Sequence, residues 1–353
     1  MRAVFAIPGD IQTRTGGYIY DSRVMALLPA LGVDVVHLPL PGSFPYPSAD
    51  DLLATRAALA AVDAEDIIVA DGLFWGACPA EFAQATRAKI IALCHHPLGL
   101  ESGLSDAQGR FFLQNEREIL FSSEHVIVTS SETARILAAD FAIPATKITV
   151  AEPGTDIMPR AKGSVSAHEI LAVGSVVPRK GYDVLVEALA SLHDLPWRCT
   201  IAGSIHRAPE FASQLKALIE AHGLSDRIIL AGEVDDAVIA ELYAGADIFV
   251  SASHYEGYGM VLTEALARGL PIVTTTGGAA GSTVPDDAAL KVPPGNAGAL
   301  SASLRLLLSD SGLRATLSDR AWTQAQGLQR WEDTAAIVAA TIRHVAAQTG
   351  TKR

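Results

Sequence analysis

With 353 residues, 27 Lys and Arg against 39 Asp and Glu, and a formal charge of −12, the chain has the length of two domains. Hydrophobic residues make up 49% and charged residues 19%, enough apolar material for substantial cores and too little charge for a disordered chain. The acidic balance excludes the basic stripe of a nucleic-acid binder, and residues 1–160, with 11 basic and 19 acidic side chains, make a poor surface for anionic lipid.

From the N-terminus, Val4–Ile7 predicts a buried strand. Gly16-Gly17 predicts a turn into a helix running through Val24, Leu27, Leu28 and Leu31. Val33–Leu38, Ile67–Ala70, Ile90–Leu93, Val126–Thr129 and Ile148–Val150 repeat the strand pattern, with helices between them. Strands written as continuous Val/Ile runs between helices imply a doubly wound parallel α/β sheet. Pro153-Gly154 and Pro159–Ser164 predict an exposed connector. The pattern then restarts with strands at Glu169–Val173, Arg198–Ala202, Ile228–Leu230, Ile248–Val250 and Pro271–Thr274, and with helices at Tyr182–Leu192 and Phe211–His222. The expectation is two Rossmann-like domains, 1–160 and 165–330, with the site in the cleft between them. A segment 331–353, helical from Trp331 to about Ala347 and anchored by packing of Trp331, belongs to either domain and is expected to cross back to the first.

Cys78, Cys94 and Cys199 form no C-x-x-C pair and no even framework, as in a reduced, cytoplasmic chain, and are expected to be buried. The apolar run Met1–Ile7 is too short for a signal peptide, and no run approaches eighteen apolar residues, so neither secretion nor a transmembrane segment is expected.

Chemistry concentrates in Ser251–Thr275. A strand runs into a polar turn, then Glu256-Gly257-Tyr258-Gly259-Met260-Val261, then a helix closed by Gly269 at a position that wants φ > 0, before Pro271. Gly257 and Gly259 therefore feed a helix N-terminus, whose amides and dipole suit an anion. Glu256 precedes the glycines and Glu264 falls in the early turns of the helix, so a phosphate held between them has one carboxylate toward each end. A molecule with hydroxyls at both ends and a diphosphate in the middle is a sugar nucleotide, and carboxylates suit paired hydroxyls as acceptors.

The segment Glu256 to Glu264 resembles the E-x7-E signature of retaining glycosyltransferases with two Rossmann-like domains, the GT-B fold of family GT4. The likeness extends over nearly the whole chain, through Thr15-Gly16-Gly17, His95-His96-Pro97, Val173–Gly181, Ile201-Ala202-Gly203, Leu230–Val234 and Val292–Asn296. It implies a nucleoside-diphosphate sugar as donor substrate, an acceptor, no other cofactor, and transfer of a hexose-type sugar with retention. Arg179 and Lys180 would clamp the donor diphosphate, and Gly16 and Gly17 would admit first-domain backbone to the same phosphates. Glu256 would contact the donor sugar, Glu264 the ribose, and the backbone of Gly232, Glu233 and Val234 the base, while His95 would sit beside the transferred sugar. Gly257, Tyr258, Gly259, Met260 and Val261 complete the expected donor loop. No metal is implied, because no two aspartates stand two residues apart as in D-x-D.

Two departures from the family pattern are Gly277-Gly278 followed by Ala279-Ala280 rather than an acidic residue, and Gly154 where Asn is common. Tyr18, Tyr20 and Asp21 are candidates to face an acceptor. The competing functions are a GT-B epimerase or isomerase acting on the sugar nucleotide, which needs no acceptor, and a catalytically silent nucleotide-sugar binder, against which the intact set Arg179, Lys180, Glu256 and Glu264 stands.

Overall fold

The structure is a computed structural model that describes residues 1–164 and 168–348. The expected first residue of the second domain, 165, and the end of the last segment, 349–353, lie outside the described residues.

The first six strands, β1 (Arg2–Pro8), β2 (Asp34–Leu40), β3 (Ile67–Asp71), β4 (Lys89–Cys94), β5 (His125–Val128) and β6 (Ile148–Val150), form one sheet in the order β2-β1-β3-β4-β5-β6. Pairing is parallel throughout, with Val4 of β1 opposite Val36 and Ile68. Helices α1 (Gly16–Leu27), α2 (Ala49–Ala60), α3 (Gly72–Trp75), α4 (Asp106–Ser122) and α5 (Ser131–Ala139) connect them. The expected turn at Gly16-Gly17 is instead the first turn of α1, because the Thr15 side chain accepts from Tyr18 N and caps the helix one residue earlier. Helical geometry expected through Leu31 tightens at Leu28–Leu31, where Pro29 cannot donate to the preceding turn and Gly32 takes φ 75°.

The second sheet comprises β7 (His168–Val173), β8 (Trp197–Ala202), β9 (Ile228–Gly232), β10 (Ile248–Ser251), β11 (Ile272–Thr275) and β12 (Ala289–Val292), in the order β12-β11-β10-β7-β8-β9. All its ladders are parallel. Helices α6 (Tyr182–Ala190), α7 (Pro209–Ala221), α8 (Asp236–Gly245), α9 (Met260–Leu266), α10 (Ala280–Thr283), α11 (Ala297–Ser309) and α12 (Ser311–Ala325) surround it. One face packs Ile170, Ile201, Val250, Leu185 and Leu304; the other packs Leu171, Phe249, Tyr243, Leu262 and Ile272. Strand direction reverses its spread between β7 and β10, which makes their carboxyl ends the switch point where open α/β sheets take ligands.

The last helix, α13 (Trp331–Ala347), packs on α1, and the chain divides into a unit of Met1–Gly154 with the segment beginning at Gln329, and a unit of Thr155–Leu328. Residues 155–160 fall to the second unit, where Ala161 N donates to the Arg268 carbonyl and Arg160 bonds Ser318. Trp331 meets Tyr20 edge-on at 6.0 Å with Arg23 over its ring, and a Cβ on Gly154 would collide with the Trp331 backbone, which explains glycine there. Among the described residues, no helix is long and apolar enough to cross a membrane. All three cysteines are free and buried.

Candidate active site

The turn after β7 (Pro178–Lys180) and the turn after β10 (Ala252–Gly259) meet at the switch point of the second unit. Gly181 takes φ 61°, and a Cβ there would collide with the Ala252 carbonyl, so the Arg-Lys turn lies directly on the β10 turn. His254 N donates to the Arg179 carbonyl at 2.8 Å, and Arg179 Nη1 donates to the Tyr255 carbonyl at 2.7 Å. Gly181→Ala adds both left-handed strain and this collision, so it should cost about 1–3 kcal/mol or more. Thermal unfolding checks it; an unchanged melting temperature would deny the close approach.

The two cations converge on one buried carboxylate. Lys180 Nζ donates to Glu256 Oε1 at 2.6 Å, Arg179 Nη1 to Oε2 at 3.2 Å, and Ser253 Oγ to Oε1 at 2.6 Å. Glu256 is buried, which alone would raise its pKa, but Lys180 and Arg179 outweigh burial and bring it to about 2. The carboxylate is therefore ionised at neutral pH and cannot serve as a proton donor there. Its backbone is clamped too: Glu256 N donates to the Gly277 carbonyl, and Ala279 N to the Glu256 carbonyl. A Cβ on Gly277 would strike the His254 carbonyl and one on Gly278 the Glu256 carbonyl. The Gly277-Gly278 pair thus provides the close approach that holds Glu256, and the following residue contributes through its backbone N–H rather than its side chain.

Gly257 and Gly259 follow directly, and Gly259 takes φ 96° at the start of α9. Gly269 takes φ 64° just past the end of that helix. Glu264, on α9, accepts a hydrogen bond from the buried Tyr243 hydroxyl of α8 at 2.9 Å, and Arg268 stacks over the Tyr243 ring. Gly232 ends β9 with φ 70°, and its carbonyl accepts from Gly203 N at 2.8 Å; Glu233 and Val234 continue from the same carboxyl edge of the sheet. The structure therefore brings Arg179, Lys180 and Glu256 into contact, with Gly257 to Val261 in continuation. Glu264 has its own partner, and Gly232–Val234 follow the edge strand β9, two strands from β7.

In the first unit, His95 follows β4 and its Nε2 lies 3.1 Å from Asp21 Oδ1 and 3.6 Å from Asp71 Oδ2. Gly17 touches this ring: a Cβ there would lie 3.3 Å from His95 Cδ2. The candidates Tyr20 and Asp21 do not face outward. Both are buried on the inner side of α1, with the Tyr20 hydroxyl donating to the Ala151 carbonyl at 3.0 Å. Tyr18 donates its hydroxyl to the Pro8 carbonyl at 2.5 Å. Among the described residues, Asp21, Asp71 and His95 are the one group whose metal-capable atoms lie within 4.8 Å of one another, although the 3.1 Å contact is the length of a hydrogen-bonded ion pair. Ser253, Tyr243 and Asp71 are the site partners that no motif had marked out, and Asp21 was marked for another role.

Two Rossmann-like units, with a cation-held glutamate at the switch point of the second, define a fold of the GT-B glycosyltransferase type. Residues 159–324 match the family "Glycosyl transferases group 1", and residues 11–154 match the "Glycosyl transferase 4-like domain". The D-inositol 3-phosphate glycosyltransferase of Kineococcus radiotolerans is 28% identical over 240 residues, covering 60% of this chain and 55% of that protein. The MMP alpha-(1->4)-mannosyltransferase of Mycolicibacterium hassiacum is 26% identical over 309 residues, 83% and 74% of the two chains. The chain spans between 40% and 59% of the length of the first curated relatives it matches. HepE of Anabaena, solved in complex with UDP-glucose, superposes with a TM-score of 0.78 at 18% identity, over 98% of this chain and 100% of that one.

Proposed function

We propose that the chain is a retaining, metal-independent glycosyltransferase of the cytoplasm that moves a hexose-type sugar from a nucleoside-diphosphate sugar to an acceptor. The observation behind this reading is the burial of Glu256 between Lys180 and Arg179 at the β7/β10 switch point. As the nucleoside diphosphate departs, negative charge grows on its phosphate oxygens, and two cations already oriented in a buried setting stabilise that charge. The amides from Gly259 to Val261 at the start of α9 add donors to the same anion. Glu264, held by Tyr243, accepts from the ribose hydroxyls, and the backbone of Gly232–Val234 receives the base.

Glu256 is placed to accept from donor-sugar hydroxyls and to steady the oxocarbenium-like sugar. With Oε1 bonded by Lys180 and Ser253 and Oε2 by Arg179, the carboxylate is a weak nucleophile, which favours front-face attack over a covalent intermediate. On this reading Gly16 and Gly17 are assigned to the donor phosphates and His95 to the transferred sugar.

A panel of nucleotide sugars, led by UDP-sugars because HepE was solved with UDP-glucose, tests the reading by thermal shift and by diphosphate release with and without acceptors. One nucleotide should raise the melting temperature by linkage, with release dependent on an acceptor. Release or sugar interconversion without acceptor would favour an epimerase or isomerase, and stabilisation by no nucleotide would overturn the proposal.

A further inference from the structure

The first unit carries its own buried group of charges at its topological switch point, where α1 follows β1 and α3 follows β3. Asp21 comes from α1, Asp71 from the end of β3 and His95 from the segment after β4. The Asp21 side chain is 0% exposed and Asp71 4%, whereas His95 keeps 22%. The carboxylates are thus shut inside while part of the ring remains open to a ligand. Asp71 Oδ1 accepts from Leu73 N at 2.8 Å, which turns Oδ2 toward the ring. Asp21 Oδ2 is buried without a donor, the ring lies against Oδ1, and the Asp21 and Asp71 carboxyls are within hydrogen-bonding reach of each other. Tyr20 abuts the ring edge-on at 5.2 Å, Gly17 closes on Cδ2, and Thr129 Oγ1 donates to the His95 carbonyl at 3.2 Å.

Even with Asp71 protonated, a neutral imidazole would leave the Asp21 charge uncompensated, which is costly in a dry setting. An imidazolium compensates one full charge and donates from Nε2. We propose that Asp21 and Asp71 are positioning residues that hold His95 as an imidazolium with Nε2 turned inward, leaving Nδ1–H as its other polar group. Such a ring can donate to a bound oxygen but cannot accept a proton, so His95 is excluded as a general base. Only the use of Nδ1–H on a sugar rests on the transferase reading; the state of the ring does not.

The electrostatics agree. Burial alone would lower the His95 pKa, but the charge and hydrogen bond of Asp21, then the charge of Asp71, outweigh it and raise it. Asp71 is pushed up to about 7 by burial and by the charge and hydrogen bond of Asp21, against the pull of His95, so the charge that the ring answers is chiefly that of Asp21. The other titratable groups nearby are Tyr20, raised by burial; the Cys94 thiol, also raised by burial; the His96–Glu101 pair; and Glu116, which burial lifts to about 7 while Leu98 N and Gly99 N donate to it. None of these places a further cation against the ring.

The test is a pH titration of the ring nitrogens and Cε1 by NMR on the full chain labelled at histidine, with His95→Gln to assign its signals among the ten histidines. Wild-type His95 should stay doubly protonated above pH 6.5, and Asp21→Asn should lower its midpoint by about one unit or more. The alkaline limb of the kcat/KM profile should move by the same interval, a shift that a merely structural residue would not cause. Asp71→Asn, which keeps the cap to Leu73, should lower the midpoint less, and together with the wild-type titration decides the matter if Asp21→Asn fails to fold. A wild-type midpoint at or below 6.5, an unmoved midpoint in the variants, or stoichiometric broadening of the His95 signals by Mn²⁺ would overturn the proposal. If the ring behaves as expected but no nucleotide sugar is turned over, the transferase reading fails and the assignment of His95 stands.

Discussion

Glu256→Gln should lose turnover by about two to four orders of magnitude while its affinity for nucleoside diphosphate does not fall. The two cations that would grip a diphosphate are also engaged by this carboxylate. Removing its charge frees them and removes a repulsion toward phosphate. The same variant should be less stable at neutral pH. A carboxylate lowered from 4.5 to about 2 by folding contributes on the order of 3 kcal/mol. That contribution is fully present above the unfolded value of 4.5 and is lost as pH falls from there through about 2. The stability gap between wild type and Glu256→Gln, measured by denaturant titration, should therefore narrow below pH 4.5. A gap independent of pH would mean that the ion pairs do not hold the charged form. Equal loss of binding and turnover would make Glu256 structural rather than a participant in transfer.

Lys180→Met should weaken nucleoside-diphosphate binding about 10- to 100-fold, the worth of one charge-assisted hydrogen bond in a buried site. Methionine keeps the apolar stem, so packing beside Gly174, whose Cβ would lie 3.0 Å from Lys180 Cε, is retained. Calorimetry should also show Arg179→Met combined with Lys180→Met losing more than either alone. Unchanged affinity in Lys180→Met would remove that residue from the donor site.

The strands of both sheets were legible because a parallel strand buried on both faces must be apolar at every position, as Ile67-Ile68-Val69-Ala70 and Ile248-Phe249-Val250 are. β12 escaped for the opposite reason. It is four residues at the sheet edge, and its Lys291 bonds the Gly281 carbonyl at 2.6 Å instead of extending an apolar run. Glu256 and the Arg179-Lys180 pair were legible as motifs in turns that follow strands. Their mutual contact was not, since it depends on which strand neighbours which, and only the order β10-β7 places the two turns together.

Ser253 and Tyr243 could not be found by spacing. One is a serine among several in a polar turn, and the other reaches Glu264 from the preceding helix. Asp21 and Tyr20 misled because polar groups after glycines suggest an open loop. Once Thr15 caps α1, positions 20, 21 and 24 fall on the buried side of the helix. A charge at such a position has one readable signal, the need for an opposite charge, and His95 answers it from 74 residues away.

The central claim is that the Arg179–Lys180–Glu256 cluster receives the diphosphate of the donor. A crystal structure of the chain with a bound nucleoside diphosphate tests it most directly. Phosphate oxygens should lie within about 3.2 Å of Lys180 Nζ and the Arg179 guanidinium, beside Gly257–Gly259. A diphosphate bound elsewhere, with both cations still engaged only by Glu256, would contradict it.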